Sequence, residues 1–139
     1  MEICTDMPPD MVKKLIGDSQ RFASPFSEPC GYSIWADEES AVNESDIQRY
    51  CEKLKYLTEH IDRLLKDAFR PEFCQFYGVD RERIVSPDEM RRQLMVDSFV
   101  LYKKDGSVGC CLSNVRFMPG HFIECGWNDG WEFTGSYIC

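Results

Sequence analysis

The feature that most constrains the fold of this chain is a change in the spacing of its apolar residues near residue 95. From residue 46 to 69 apolar side chains recur every three to four residues, which is typical of an amphipathic helix. From residue 96 to 138 they alternate along short segments separated by glycine-containing turns, which is typical of antiparallel strands. We therefore predict an α+β fold, in which N-terminal helices, one of them long and amphipathic, pack on a C-terminal antiparallel four-stranded meander.

The long helix is predicted to begin at Ser45 or Asp46, just before the helical spacing of apolar residues starts at Ile47. It is predicted to end at Phe69 or Arg70, because Pro71 disfavours helical backbone at the residue before it. Shorter helical segments are predicted at residues 8–17, 73–78 and 86–94.

The four strands of the meander are predicted to be joined by tight turns. Gly106 and Gly130 each follow an aspartate at a turn position, where glycine readily supplies positive φ. The predicted strands are Val96–Tyr102, Val108–Ser113, His121–Trp127 and Trp131–Ile138.

The length of 139 residues fits a single domain. Three segments differ in character: an irregular acidic segment at 1–45, a helical segment at 46–95 and the β-meander at 96–139. Within the first segment, Gly31–Trp35 is compatible with either a short strand or a packed arm.

Charge is the strongest guide to the kind of partner. The chain has 24 acidic and 16 basic residues, a formal net charge of -8, and the first 45 residues hold nine of the acids against three bases. Such a surface repels phosphate backbones and anionic lipid, and attracts basic proteins. We therefore expect a basic protein partner, no nucleic acid and no membrane, and the oligomeric state stays open.

The expected location is the cytoplasm. No apolar run approaches the roughly 18 residues of a membrane-spanning helix. The segment Met1–Asp6 has neither the basic stretch nor the apolar stretch of a secretory signal.

Eight cysteines raise the question of metals and disulfides, but no spacing typical of a zinc site occurs among them. We expect mostly buried, reduced thiols, with a metal site or redox use as the alternatives, and we predict no metal or cofactor. His121 is expected to hydrogen-bond to backbone, and the alternative is a general base oriented by Asp97 or Glu124. We predict no catalytic residue.

The last 45 residues carry a recurring arrangement of turns and strands. It consists of the turn Asp105-Gly106-Ser107, the pair Gly120-His121 before an apolar strand, and the turn Asn128-Asp129-Gly130. This arrangement resembles small uncharacterised bacterial domains in which a Gly-His pair precedes an apolar strand near the C-terminus. Such domains are often encoded beside polymorphic toxins and are suspected immunity proteins. Over about the last third of the chain, the resemblance implies a protein that neutralises a cognate toxin.

The predicted partner-binding patch combines tryptophan with the densest acidic stretch, because tryptophan beside a charged patch is a frequent interface anchor. For Trp131 the alternative is packing against Trp127 across the last hairpin. The predicted patch consists of Trp35, Asp37, Glu38, Glu39, Glu44 and Trp131.

The predicted function is that of a bacterial immunity protein, which binds and neutralises a basic toxin domain, such as a nuclease, by acidic surface complementarity. Two alternatives remain at this level. One is a regulatory protein-interaction domain without a toxin partner, and the other is a small hydrolase that depends on a thiol or a histidine.

Overall fold

The fold is described from a computed structural model, which covers residues 2–18, 31–37, 42–70, 94–113 and 120–139. Three helices and six strands occur in these ranges. In chain order they are β1 (Glu2–Asp6), α1 (Pro9–Asp18), β2 (Tyr32–Asp37), α2 (Glu44–Glu59), α3 (Ile61–Ala68), β3 (Met95–Tyr102), β4 (Val108–Ser113), β5 (Phe122–Trp127) and β6 (Phe133–Ile138).

The six strands form one mixed sheet in which each strand lies beside its neighbour in the chain, from β1 to β6. Every neighbouring pair is antiparallel except β2 and β3, which are parallel. A parallel pair needs a crossover connection, and the stretch from β2 to β3 contains α2 and α3. The α+β class holds, with the crossover joining the N-terminal hairpin to the rest of the sheet.

The prediction of a four-stranded antiparallel meander is wrong. The segment 1–45, predicted to be irregular, adds β1 and β2, and so the sheet has six strands and one parallel pair. Of the two alternatives for Gly31–Trp35, the structure has the strand, and Tyr32, Ser33 and Ile34 are all buried in it. Its pairing partner on the other side, β3, lies far away in the sequence, beyond the reach of a local pattern.

The prediction of one long helix is also wrong. α2 ends at Glu59 and α3 begins at Ile61, because His60 leaves the helical region with φ -118° and ψ 21°. The His60 ring stacks on Tyr56, with centroids 4.0 Å apart, and its Nδ1 lies 3.0 Å from the Tyr56 carbonyl oxygen. Apolar periodicity continues through the interruption, since Leu57 and Ile61 are both buried. The break is therefore invisible in the pattern.

The N-terminus of α2 begins slightly earlier than predicted and has a capping box. The Asn43 side chain accepts a hydrogen bond from the Asp46 backbone N–H at 3.0 Å, and the Asp46 carboxylate accepts one from the Asn43 N–H at 2.9 Å. Asp46 also contacts the Lys103 ammonium at 2.7 Å, which connects the start of α2 to the end of β3.

The hydrophobic core lies between the helices and one face of the sheet. At its centre Tyr50 of α2 packs edge-on against Phe99 of β3, with ring centroids 5.4 Å apart. Strand residues alternate between this core and the other face, which is the half-buried pattern of a sheet covered on one side. The largest fully buried side chains include Trp127, Tyr50, Phe99, Ile34, Leu54, Leu57, Ile61 and Leu64.

Some predictions lie outside the described residues: the helical segments at 73–78 and 86–94, and the acidic residues Glu38 and Glu39. In the part of the chain that the structure describes, no helix is both long enough and apolar enough to cross a membrane.

Candidate functional site

The candidate site lies on the face of the sheet that is turned away from the helices, which we call the outer face. The strand register assigns side chains to it, because residues next to a core residue point the opposite way. Ile34 and Leu101 are core residues, and so Trp35 and Tyr102 project from the outer face. Ile123 is likewise buried, which places Glu124 and its cross-strand partner Tyr137 there.

Two aromatic rings form a close pair on the outer face. Trp35 and Tyr102 are register partners in the parallel pair of β2 and β3. Their rings meet edge to face with centroids 6.0 Å apart, and the residues remain 37% and 36% exposed. Large aromatic side chains that stay this accessible are the kind that anchor protein interfaces.

Acidic side chains flank the aromatic pair on one side. Asp37 lies two residues beyond Trp35 on the same face of β2, and a shallow depression of about 220 Å³ extends from it toward the β3–β4 turn. Asp105 in that turn accepts hydrogen bonds from the Ser107 hydroxyl and backbone N–H, which lower the pKa of its carboxyl group. Among the described residues that line this depression, Lys104 is the basic one.

On the other side of Tyr102, three glycines form a row across three strands. Gly109 of β4 faces Gly126 of β5, and Gly126 faces Gly135 of β6. Because no side chain rises from these positions, the outer face is hollowed into a trough of about 430 Å³. Tyr102 and Tyr137 are among the residues that line it.

Glu124 is the acidic group of the trough. Its Oε2 accepts a hydrogen bond from the Tyr137 hydroxyl, and this bond raises the pKa of Tyr137 to about 12. The pKa of the Cys139 thiol is raised, mainly by desolvation and to a smaller extent by a hydrogen bond to Glu124. Glu124 is therefore a carboxylate surrounded by neutral donors.

The predicted patch is brought together only in part. Trp35 and Asp37 lie side by side on the outer face of β2. Glu44 is exposed but lies at the first residue of α2, in the helical layer, where its charge suits a helix N-terminus. The structure thus separates Glu44 from the pair on β2.

Trp131 has mainly internal contacts. It is half-buried, has φ +64°, and stacks on Tyr56 of α2 with centroids 4.4 Å apart. Its ring also lies 6.1 Å from the buried Trp127 ring and 5.5 Å from the Lys53 ammonium. Trp131 therefore ties the last hairpin to α2, on the side of the sheet opposite the outer face.

Asp129 strengthens the same attachment. Its Oδ1 lies 2.8 Å from both the Arg49 guanidinium and the Lys53 ammonium. Lys53 is nearly buried and also donates to the Asp129 carbonyl oxygen at 2.7 Å. The hydrogen bonds from Lys53 and Arg49 lower the pKa of Asp129. The Asp-Gly turn singled out in the sequence thus has a packing role.

The cysteines divide into two groups. Cys110 and Cys125 are buried register partners in the core, where the hydrogen bond between them and desolvation raise the pKa of Cys110 well above its usual value. Cys4 and Cys139 are exposed, which the expectation of mostly buried thiols did not anticipate. All six described cysteines are free, and in the described residues no group of three or more His, Cys, Asp or Glu is placed to hold a metal.

His121 lies just before β5, and its Nδ1 is 3.1 Å from the Cys139 carbonyl oxygen. The sequence led us to expect a contact with the loop backbone, whereas the backbone oxygen that His121 meets belongs to the residue after β6. The contact holds the start of β5 against the end of β6, next to the reciprocal backbone hydrogen bonds between Phe122 and Cys139.

Tyr102, Tyr137 and the glycine row were not among the site residues predicted from the sequence. A signal for the row was present, because three successive strands each contain an internal glycine, which often marks a close approach of backbone or ligand. Only the register shows that the three glycines align.

Comparisons of the chain with protein-family models, with curated proteins and with solved structures gave no match. The function is therefore argued from the outer face itself.

Proposed function

We propose that this chain is an inhibitor that binds a basic toxin domain through the outer face of its sheet. The observation that carries the proposal is the exposed Trp35–Tyr102 pair with Asp37 beside it. An interface of this kind combines an aromatic centre, which supplies affinity, with an acidic margin, which selects a basic partner.

The charge of the whole chain supports the same choice of partner. A net charge of -8 produces a negative field that speeds the encounter with a positively charged protein. Toxin domains that attack nucleic acid need cationic surfaces to bind phosphate. The carboxylates of Asp37, Asp105 and Glu124 can occupy such a surface in place of phosphates. Inhibition would then follow from occlusion and would need no chemistry on the inhibitor.

The first test is capture of the partner from the cells that make this protein. The tagged chain is washed at about 0.1 M and then at about 0.5 M salt, because the higher salt screens exposed charge pairs. We expect one basic protein to be retained or to be released in the second wash, and its toxicity in a growth assay to be relieved by the tagged chain. A retained protein without toxicity would instead favour a regulatory interaction domain.

The second test reverses charge on the outer face. Asp37→Lys should lower the association rate and flatten its dependence on salt, because it removes attraction where the partner docks. The matched control is Glu52→Lys, which makes the same change at an exposed position of α2. Equal effects of the two variants would contradict the assignment of the outer face and leave only the general effect of net charge.

A further inference from the structure

The glycine row differs from an ordinary strand surface in what can lie on it. Neighbouring strands are about 4.8 Å apart, so the three glycines span about 10 Å across the sheet. A β-carbon at Gly126 would lie 3.1 Å from the Thr134 hydroxyl oxygen, so the Thr134 side chain borders the row at this glycine. Between Thr134 and the Tyr102 ring, the floor of the trough is peptide backbone, which accepts a planar group in close contact.

The sides of the trough are aromatic. The Tyr102 ring reaches the glycine row, because a β-carbon at Gly109 would lie 3.6 Å from its Cε2 and 3.7 Å from its hydroxyl oxygen. Tyr137, 59% exposed, is the register partner of Glu124 on the adjacent strand. Tyrosine faces attract cations, and more strongly when the cation is partly desolvated.

The charge of the trough has one sign. Among the described residues that line it, Glu124 is the one charged side chain. A carboxylate has about four acceptor positions, of which the Tyr137 hydroxyl uses one on Oε2 and the Cys139 thiol uses another. Acceptor capacity therefore remains on Glu124 for a further donor from a ligand.

We propose that the trough over Gly109, Gly126 and Gly135 binds an arginine side chain that the protein partner presents. A guanidinium is planar, stacks on aromatic rings and pairs with carboxylates through several N–H donors, whereas a lysine ammonium is a compact, strongly hydrated charge. The backbone floor, the tyrosines and Glu124 match these three properties. The origin of the arginine in a basic toxin rests on the proposed function, but arginine recognition by the trough does not.

The test uses the full chain and a small probe, so that no partner is needed. The backbone amide signals are followed by ¹⁵N NMR during titration with Nα-acetyl-arginine methylamide. We expect saturable shifts centred on Gly109, Gly126 and Gly135, and at least tenfold weaker binding of the neutral citrulline derivative. Equal binding of citrulline, shifts centred elsewhere, or no saturable shift would overturn the proposal.

Two variants and two controls make the test specific. Gly109→Val fills the floor from a position whose β-carbon makes only ordinary contacts, and Glu124→Gln removes the charge with little change in shape. Each is expected to weaken arginine binding at least tenfold while the chain stays folded by its amide spectrum. Gly17→Ala and Glu52→Gln, both outside the sheet, are expected to bind arginine as the wild type does.

The outcomes separate the two proposals. If arginine binds in the trough but no basic partner is captured, the toxin assignment fails and the trough stands. If a basic partner is captured through Trp35 and Asp37 but arginine leaves the glycine signals unchanged, the trough proposal fails and the interface stands.

Discussion

Two buried tyrosines of the core differ in whether their hydroxyl has a partner. The Tyr50 hydroxyl donates to the Phe99 carbonyl oxygen at 2.8 Å, whereas the Tyr32 hydroxyl has no hydrogen-bond partner among the described residues. Burial raises the pKa of both, so both hydroxyls carry their protons at neutral pH.

Removing the two hydroxyls should therefore have different effects. We expect Tyr50→Phe to lower the free energy of unfolding by about 1 kcal/mol, because a buried hydrogen bond is lost. Tyr32→Phe should leave stability unchanged or raise it by less than about 1 kcal/mol, because a buried unsatisfied hydroxyl is removed. Urea unfolding measures both, and equal losses would show that Tyr32 has a partner.

The ion pairs of Asp129 make part of the stability depend on pH. Its pKa lies below the ordinary 3.8 because Lys53 and Arg49 donate to it, so its contribution is present above that ordinary value and is lost as pH falls through the lowered pKa. Asp129 is 56% exposed, and we expect Asp129→Asn to cost about 1 kcal/mol at pH 7. The difference between the two proteins should shrink as the pH falls through the lowered pKa of Asp129, and it should vanish below that pKa. An unchanged difference in acid would assign the loss to something other than charge.

At the scale of elements, the β3–β4 turn depends on Gly106. Gly106 has φ +75° and lies beneath the ion pair of Arg49 and Asp129, so that a β-carbon would collide with both side chains. The turn therefore supports the contact between α2 and the last hairpin through a residue that has no side chain.

The prediction for this turn compares two glycines. Gly106→Ala should lower the free energy of unfolding by about 1–3 kcal/mol, because alanine is strained at positive φ. The displacement of the Arg49 side chain by the new β-carbon should add to this loss. Gly17→Ala, in α1 with no atom within 4 Å of its β-carbon, should raise it by about 0.5–1 kcal/mol. Thermal unfolding of both variants checks the pair, and tolerance of alanine at Gly106 would contradict the packing described for the turn.

Local pattern predicts some elements of this fold and misses others for identifiable reasons. β4 could be placed from the sequence because its core residues alternate between turn signals. For β2 the sequence left a short strand and a packed arm both open at Gly31–Trp35, because the parallel pairing with β3 that settles it spans a long crossover. The interruption at His60 depends on a stacking contact with Tyr56 that no apolar period records.

At the scale of the whole molecule, the two faces of the sheet differ in what they carry. Its core face holds the helices, and Trp131 and Asp129 tie the last hairpin to α2. Its outer face carries Trp35, Tyr102 and the glycine trough. The sequence could pair Trp35 with nearby acids, but Tyr102 joins it only through the register between distant strands.

The central claim is that the outer face binds the partner, and one comparison of affinities tests it most directly. Calorimetric titration of the captured partner is carried out with Trp35→Ala and with Ile3→Ala, which removes an exposed apolar side chain from the core side of β1. The account predicts that Trp35→Ala weakens binding by about 2 kcal/mol, roughly thirtyfold, while Ile3→Ala changes it less than about twofold. Unchanged affinity of Trp35→Ala, or a larger loss with Ile3→Ala, would contradict it.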